Sequence, residues 1–198
     1  MADLESLFGP IDIYLFDQLL KGRIPPGSKV LDAGCGSGRN LLYLLREGYE
    51  VFGADTDPGA IAAVRELAPD LPTANFRVEP LEAMTFGDAS VDFVISSAVL
   101  HFARDDDEFQ AMLLGSWRPL RPGGIFFCRL ASTIGIENQS KRIEGRRFRL
   151  PDGSTRYLVD EAILAEAGAR LGGELVDPLK TTIVQNQRAM TTWVMRKL

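Results

Sequence analysis

Apolar and polar positions along this chain predict strands and helices that follow each other in turn. Short apolar runs predict five strands, at residues 29–31, 50–54, 75–78, 91–96 and 125–130. Three- and four-residue apolar spacing, together with capping residues, predicts helices at residues 10–22, 40–47, 58–67, 107–120 and 160–170. Two further β-rich runs, 181–185 and 190–195, are joined by Asn186-Gln187-Arg188 and predict a hairpin.

Strands that alternate with helices favour a parallel sheet with helices on both faces. The run at 91–96 is apolar almost throughout, which is typical of a strand covered on both faces. With the hairpin added, the pattern predicts an α/β, doubly wound, mostly parallel sheet of seven strands that ends in an antiparallel hairpin. Ligands of such sheets bind beyond the carboxyl ends of the strands, so the residues that follow each strand are the first candidates for a site.

Composition narrows the class of protein further. A chain of 198 residues fits a single domain, and a formal net charge of −5 disfavours nucleic acid as a partner. No apolar run approaches the roughly 20 residues of a membrane helix, and the acidic start lacks a signal-peptide pattern. Cys35 and Cys128 lie in apolar or Gly-rich contexts, which favours reduced thiols in a cytoplasmic protein. A single His and the lack of ligand spacing predict no metal site.

The turn after the first predicted strand carries the sharpest chemical signal. Gly34, Gly36 and Gly38 allow positive φ and a close approach of the backbone to a ligand. Asp32 lies two residues before the turn, where a carboxylate suits a cationic ligand and would repel a pyrophosphate. Asp55 ends the second strand, where its carboxylate can accept hydrogen bonds from ribose hydroxyls. The dinucleotide-binding fingerprint has its third glycine at the position that Arg39 occupies here, so the turn does not match that fingerprint.

Residues 30–38, Val-Leu-Asp-Ala-Gly-Cys-Gly-Ser-Gly, closely resemble the first motif of the class I, Rossmann-like S-adenosylmethionine-dependent methyltransferases. Residues 120–124 resemble the family's turn before its fifth strand, and residues 91–94 resemble the start of its fourth. The resemblance covers roughly residues 28–130. It implies that the chain binds S-adenosyl-L-methionine, releases S-adenosyl-L-homocysteine and transfers the methyl group in line to a small molecule. Because Arg39-Asn40-Leu41 is similar to the tellurite-resistance and thiopurine-type branch, the resemblance favours a small nucleophile.

The resemblance also implies a set of cofactor-binding residues. These are Asp32, Gly34, Cys35, Gly36, Arg39, Asn40, Asp55, Thr56, Leu81, Glu82, Ser96 and Ser97. Within this set Gly34 and Gly36 would line the methionine end, and Leu81 would offer a backbone N–H to adenine. Ser96 and Ser97 would close the floor of the pocket. Pro80 stands where many relatives carry an acid that binds adenine, so adenine recognition shifts to Glu82 or to backbone groups.

Two residues could shape the acceptor side. His101 follows the fourth strand and is the candidate general base, because its unperturbed pKa near 6.5 suits proton transfer at neutral pH. The alternative is that His101 packs on the cofactor or bonds to the backbone. The resemblance implies that Tyr14 is a lid residue that folds over the cofactor on the substrate side, and the alternative is a core contact of an amphipathic helix. We expect Phe102 and Trp117 to be core residues.

A basic stretch follows the fifth strand, where relatives often insert a segment that covers the acceptor. It contains Lys141, Arg142, Arg146, Arg147 and Arg149 against the single acid Glu144. Arg142, Arg146 and Arg147 are therefore candidates for binding an anionic acceptor such as a carboxylate or phosphate. The alternatives are a solvated loop and a contact with a partner.

The whole chain is interpreted as one methyltransferase domain with four parts. Residues 1–27 form a helical lid, 28–130 a cofactor-binding core, 131–157 an acceptor-side insertion and 158–198 a C-terminal helix and hairpin. Two other functions stay open: a protein that binds S-adenosylmethionine without catalysis, and a nucleotide-dependent oxidoreductase. The sequence specifies neither the methylated atom nor the oligomeric state.

Overall fold

Five parallel strands form the centre of the structure, a computed structural model that describes residues 3–198. They are β1 (Lys29–Ala33), β2 (Glu50–Asp55), β3 (Phe76–Val78), β4 (Val91–Ser97) and β5 (Leu120–Ser132). Their spatial order is β3-β2-β1-β4-β5, so the chain changes direction across the sheet between β3 and β4. The carboxyl ends of β1 and β4 therefore lie side by side, which is where a doubly wound sheet opens a crevice.

A separate three-stranded antiparallel sheet follows β5. It consists of β6 (Lys141–Glu144), β7 (Arg147–Arg149) and β8 (Thr155–Tyr157). The periodicity of residues 131–157 predicts no strands, because each strand is three or four residues long and carries charges on an exposed face. The insertion is thus a folded sheet, and its buried side packs Phe148 and Leu150 against Ile136 and Leu158.

The C-terminal strands extend the central sheet to eight. They are β9 (Gly173–Leu175), β10 (Lys180–Val184) and β11 (Arg188–Lys197). β11 pairs antiparallel with β5, β9 and β10, which confirms the predicted hairpin of β10 and β11. The predicted count of seven strands is wrong by one, because the three residues of β9 are too few to show a period.

Six α-helices flank the strands within residues 3–198. They are α1 (Leu4–Phe8), α2 (Ile13–Leu20), α3 (Leu42–Arg46), α4 (Pro58–Leu67), α5 (Asp106–Trp117) and α6 (Glu161–Arg170). α4 begins as predicted, with the carboxylate of Asp57 accepting from the N–H of Gly59. The predicted extension of α5 to Leu120 is wrong, because Pro119 has no N–H to continue the helix and Leu120 already pairs with β4.

The fifth strand also begins earlier than predicted. Val91 pairs with Leu120 and Phe93 pairs with Ile125, so residues 121–124 form an irregularity inside β5 and not a turn before it. Gly123 has φ +79° at this irregularity, which is a conformation that favours glycine. The strand therefore bends where the predicted turn lies and then continues across the sheet.

Apolar side chains fill both faces of the sheet. Along β5, Phe126 and Leu130 belong to the cluster on one face, while Ile125 and Phe127 belong to the cluster on the other. Burial on both faces explains the nearly continuous apolar runs of β4 and β5. Among residues 3–198, no helix has the length and apolar character needed to cross a membrane.

The helix predicted at residues 10–22 exists as the shorter α2, and two of its apolar residues face solvent. Ile13 and Leu20 are 71% and 72% exposed, whereas Leu15 and Gln18 are buried. The helix is held on its polar side, where Arg23 just beyond it donates two hydrogen bonds to Asp177, at 2.5 and 2.9 Å. These bonds attach the N-terminal segment to the strand-rich C-terminal part of the chain.

Candidate active site

The glycine turn lies between β1 and α3 and is fastened to β2. The N–H groups of Gly34 and Cys35 both donate to the carbonyl oxygen of Ala54, at 2.8 and 3.0 Å. Gly34 has φ +85°, and a Cβ built there would lie 2.3 Å from Cγ2 of Val99. Only glycine can therefore bring β1 this close to the segment after β4.

Asp55 ends β2 and is held by two backbone donors. Its Oδ2 accepts from the N–H of Gly36 at 2.9 Å, and its Oδ1 accepts from the N–H of Asp57 at 3.0 Å. These bonds fix the carboxylate beside the turn and leave further acceptor positions on both oxygens. The arrangement can receive two neighbouring hydroxyl groups.

A cavity of about 610 Å³ opens between the turn, the end of β4 and the short helical turn at 81–83; we call it the glycine-turn cavity. Seven of the predicted cofactor-binding residues line it: Gly34, Arg39, Asp55, Thr56, Leu81, Glu82 and Ser97. The other lining residues are Pro80, Ala98, Val99, Phe102, Glu108 and Met112. The expectation that Phe102 is a core residue is wrong, since it is 60% exposed, whereas Trp117 is buried as expected.

Five predicted cofactor-binding residues do not line this cavity: Gly36, which is half-buried, and the buried Asp32, Cys35, Asn40 and Ser96. Cys35, Asn40 and Ser96 are buried, and burial raises the pKa of the Cys35 and Cys128 thiols, neither of which forms a disulfide. The amide oxygen of Asn40 accepts from the backbone N–H of Asp12 at 3.0 Å. This bond joins the segment before α2 to the segment that follows the glycine turn.

Asp32 is the most unusual of the buried residues. It is 1% exposed, and neither carboxylate oxygen has a hydrogen-bond partner among residues 3–198. Burial raises the pKa of Asp32 to about 7; the guanidinium of Arg39 opposes this shift and the charge of Asp55 adds to it. A buried carboxylate without a donor is costly unless a ligand supplies positive charge or hydrogen bonds.

A second cavity, of about 210 Å³, lies on the other side of the β4 end. We call it the arginine cavity, since Arg129 from β5, Arg156 from β8 and Arg188 from β11 line it. The rest of its lining is His101, Asp152, Ser154 and the apolar residues Ala98, Ala131, Leu150, Val184 and Met190. Ala98 lines both cavities, so the two adjoin at this residue.

His101 lies in the wall of the arginine cavity. Its Nδ1 accepts from the backbone N–H of Ala131 at 3.2 Å. Burial, together with the guanidinium groups of Arg156, Arg129 and Arg188, lowers the pKa of His101 to about 4. A neutral ring whose Nδ1 accepts carries its proton on Nε2, so it presents a donor and not a base.

Asp12, which the sequence did not single out, connects the two cavities with the N-terminal segment. Its Oδ2 accepts from Ser97 Oγ at 3.1 Å and from Arg129 Nη1 at 3.2 Å. Arg39 Nη2 lies 3.8 Å from the same oxygen and donates to Ser97 Oγ at 3.1 Å. The Oδ1 of Asp12 accepts from the backbone N–H of Tyr14, so Asp12 also caps α2.

The predicted acceptor-binding residues lie outside the arginine cavity. Arg142 stacks over Phe148, and Arg146 pairs with Asp160 and donates to the carbonyl of Leu158. Arg146 and Arg147 line a different, charge-mixed surface depression beside residues 104–107. Arg142, Arg146 and Arg147 thus do not line the arginine cavity, and their role in binding an acceptor stays a prediction.

Tyr14 lies near the arginine cavity without lining it. Its hydroxyl bonds to Oγ1 of Thr182, and the guanidinium carbon of Arg129 lies 5.2 Å from the centre of its ring. It thus joins α2 to β10 beside the two cavities. This position keeps open the prediction that Tyr14 belongs to a cover.

Residues 31–128 match the family described as a methyltransferase domain. A probable S-adenosylmethionine-dependent methyltransferase of Mycolicibacterium smegmatis is 33% identical over 153 residues, which are 77% of this chain and 54% of that protein. An uncharacterised methyltransferase of Synechocystis is 36% identical over 103 residues, which are 52% of this chain and 47% of that protein. The chain spans about half the length of these curated relatives.

Solved structures show the same fold. The 1,6-didemethyltoxoflavin-N1-methyltransferase of Burkholderia thailandensis, solved with bound 1,6-didemethyltoxoflavin and S-adenosylhomocysteine, is similar with a TM-score of 0.71. The likeness covers 98% of this chain and 81% of that one at 21% sequence identity. It confirms the predicted Rossmann-like α/β fold.

Proposed function

Because this chain belongs, through residues 31–128, to the class I, Rossmann-like S-adenosylmethionine-dependent methyltransferases, we propose that it methylates a small molecule. The observation that carries this proposal is the shared wall at Ala98. One cavity there is large enough for a nucleoside-sized ligand, and a smaller, charged cavity adjoins it. A donor and an acceptor bound in these two cavities would meet beside one residue, as an in-line transfer requires.

The residues of the glycine-turn cavity fit S-adenosylmethionine. Asp55 is held so that its free lone pairs can accept from both ribose hydroxyls. The unpartnered carboxylate of Asp32 beneath the turn suits the positive end of the methionine part. Leu81 and Glu82 line the side where adenine would lie, and Pro80 beside them offers no donor.

When bound, the cofactor supplies a sulfonium methyl, which accepts a lone pair of the acceptor while the carbon–sulfur pair stays on sulfur. The protein's own task is to bind, orient and exclude water. Ser97 and Arg39 hold the wall between the cavities through Asp12. We propose that His101 donates a hydrogen bond from Nε2 to the acceptor and does not remove its proton, because Nδ1 is already occupied.

Each part of the chain has its own role in the proposed function. Residues 28–130 would bind the cofactor, the segment with α1 and α2 would cover it, and the insertion at 131–157 would supply one wall of the acceptor cavity through Asp152, Ser154 and Arg156. The free, buried Cys35 and Cys128 support a cytoplasmic location. Assignment to the tellurite-resistance and thiopurine-type branch remains a prediction. A formed acceptor cavity supports catalysis over binding of the cofactor alone.

Calorimetric titration of S-adenosylhomocysteine tests the proposed function. We expect micromolar binding to the wild type and about tenfold to hundredfold weaker binding to Asp55→Ala, since hydrogen bonds to a charged group contribute about 1.5–3 kcal/mol. Asp70→Asn, an exposed acid remote from the lining, serves as the matched control. Tight binding of NADH, or no heat from S-adenosylhomocysteine, would overturn the proposal.

A further inference from the structure

We infer that the arginine cavity binds its acceptor as a monocarboxylate, held by Arg156 and Arg188. This inference rests on the proposed function, because it names the chemical class of the methyl acceptor. It stands on the placement of the three guanidinium groups, on their partners and on the size and walls of the cavity.

The three arginines differ in how far their charges are compensated. Arg129 pairs with the buried carboxylate of Asp12 at 3.2 Å. Among residues 3–198, Arg156 and Arg188 have no carboxylate oxygen within 4.0 Å, and Arg156 donates only to the carbonyl of Thr155, at 2.8 Å. Arg156 also lies over the ring of Phe102, with 4.9 Å from the guanidinium carbon to the ring centre. Two cationic groups in the lining thus lack an ionic partner.

One acid reduces this positive charge without cancelling it. Asp152 lines the same cavity, and its Oδ1 accepts from the backbone N–H and the hydroxyl of Ser154, at 2.9 and 2.6 Å. With Arg129 balanced by Asp12, the remaining charges of Arg156, Arg188 and Asp152 leave one positive charge. A carboxylate carries one negative charge, whereas a phosphate monoester carries between one and two at neutral pH.

Hydrogen-bond donors in the wall suit a planar anion. Nε of Arg129 is buried and has no acceptor among the described residues. His101, whose Nδ1 accepts from Ala131, can donate only from Nε2. Guanidinium groups bind carboxylates through parallel N–H donors, so Arg156 and Arg188 can donate hydrogen bonds to the two oxygens of a carboxylate.

The size and the apolar walls limit the rest of the ligand. A cavity of about 210 Å³ is smaller than the roughly 300–1,000 Å³ of pockets for drug-sized ligands. Its apolar part comprises Ala98, Ala131, Leu150, Val184 and Met190. A small body with one carboxylate matches both the walls and the charge.

The single His of the chain provides a direct reporter of this cavity, because the imidazole Cε1–H resonance needs no assignment. We would titrate sodium acetate into the S-adenosylhomocysteine-treated protein at pH 7. Acetate is the smallest carboxylate after formate, so any site for a carboxylate should admit it. Sodium chloride at equal ionic strength, acetamide and inorganic phosphate are the comparison titrations. We expect a saturable shift of the His101 signal with acetate, a weaker effect with phosphate and none with acetamide or chloride.

Substitutions then locate the site. Arg188→Gln changes an exposed residue beside the β10–β11 turn and should leave the fold intact, while Arg156→Gln changes the second ligand. We expect each to weaken acetate binding at least tenfold. Arg170→Gln, an exposed arginine on α6 paired with Glu166, is the matched control and should change nothing.

The outcomes separate this inference from the proposed function. No saturable shift with acetate, a larger shift with phosphate, or unchanged acetate binding in both variants overturns the monocarboxylate. Calorimetry of S-adenosylhomocysteine on the same samples reports on the proposed function independently. If S-adenosylhomocysteine binds but acetate gives no response, only the monocarboxylate inference is rejected. If S-adenosylhomocysteine does not bind, the methyltransferase proposal is rejected.

Discussion

The backbone N–H of Ala98 donates to the carbonyl oxygen of Arg129 at 2.7 Å, and this bond ties the end of β4 to β5 between the two cavities. Ala98 lines both cavities and has φ +65°, a left-handed conformation that is uncommon outside glycine. The bond and the adjoining strands hold a strained residue at the place where donor and acceptor would meet.

Substitutions of Ala98 should reveal this strain. A β-branched residue is disfavoured at positive φ, so we expect Ala98→Val to lower the free energy of unfolding by about 1–3 kcal/mol. Ala98→Gly should leave it nearly unchanged, because relief of the strain offsets the greater entropy of the unfolded chain. Urea unfolding of the three proteins decides this, and equal stability of the Val and Gly variants would show that the backbone is unstrained.

Gly34 and Gly22 form a matched pair for testing the close approach at the turn. Both have positive φ, but a Cβ at Gly34 would lie 2.3 Å from Val99, whereas nothing lies within 4 Å of a Cβ at Gly22. We expect Gly34→Ala to be less stable than Gly22→Ala by about 1–3 kcal/mol, because of overpacking. Val99→Ala added to Gly34→Ala should restore part of the loss; a pair of equally mild single variants would contradict the contact.

Asp32 should make the free energy of unfolding depend on pH, and the Asp32→Asn substitution should remove this dependence. Because burial raises the pKa of Asp32 to about 7 from its ordinary 3.8, the folded protein holds a proton that the unfolded chain has released between these values. Wild-type stability should therefore fall, relative to Asp32→Asn, by about 1.4 kcal/mol per pH unit from about pH 4 to 7 and stay level above that. Denaturant unfolding of both proteins across this range measures the difference, in which the other titrating groups cancel. A difference that is constant with pH would refute the buried, uncompensated carboxylate.

Asp12 should control the anion affinity of the arginine cavity. Asp12→Asn keeps a side chain that can cap α2 but removes the charge that balances Arg129. We expect acetate to bind about threefold to tenfold more tightly, measured by the His101 resonance, since one more guanidinium is left uncompensated. Asp12→Ala, which also loses the cap, should show the same tightening with about 1 kcal/mol lower stability. Unchanged or weaker acetate binding in Asp12→Asn would place Arg129 outside the anion's field.

Local patterns in the sequence predicted much of the fold. Alternating apolar runs located all five parallel strands, and Asp57-Pro58 fixed the start of α4, because capping and strand burial are properties of neighbouring residues. The glycine turn with Asp32 and Asp55 likewise located the proposed cofactor site, since both acids lie near the carboxyl ends of adjacent strands of one sheet. The small sheet of β6, β7 and β8 escaped prediction because its strands are short and largely exposed.

The acceptor side shows what a single sequence leaves undetermined. Arg129, Arg156 and Arg188 are far apart along the chain and carry no motif, yet three strands bring them to one cavity. Arg142, Arg146 and Arg147 form the obvious basic cluster, but the pairing of β6 with β7 turns them to other partners. The same folding gives Asp12, which the sequence did not single out, its bonds to Ser97 and Arg129.

The sequence by itself therefore determined the parallel sheet, its glycine turn and the acids near the carboxyl ends of β1 and β2, because these depend on residues close together in the chain. Only the tertiary structure decided that Ala98 separates two cavities and that three distant arginines surround His101. The reason is physical. Strand pairing and sheet order bring together residues that are far apart in sequence, and the local conformational preferences of those residues carry no information about that contact.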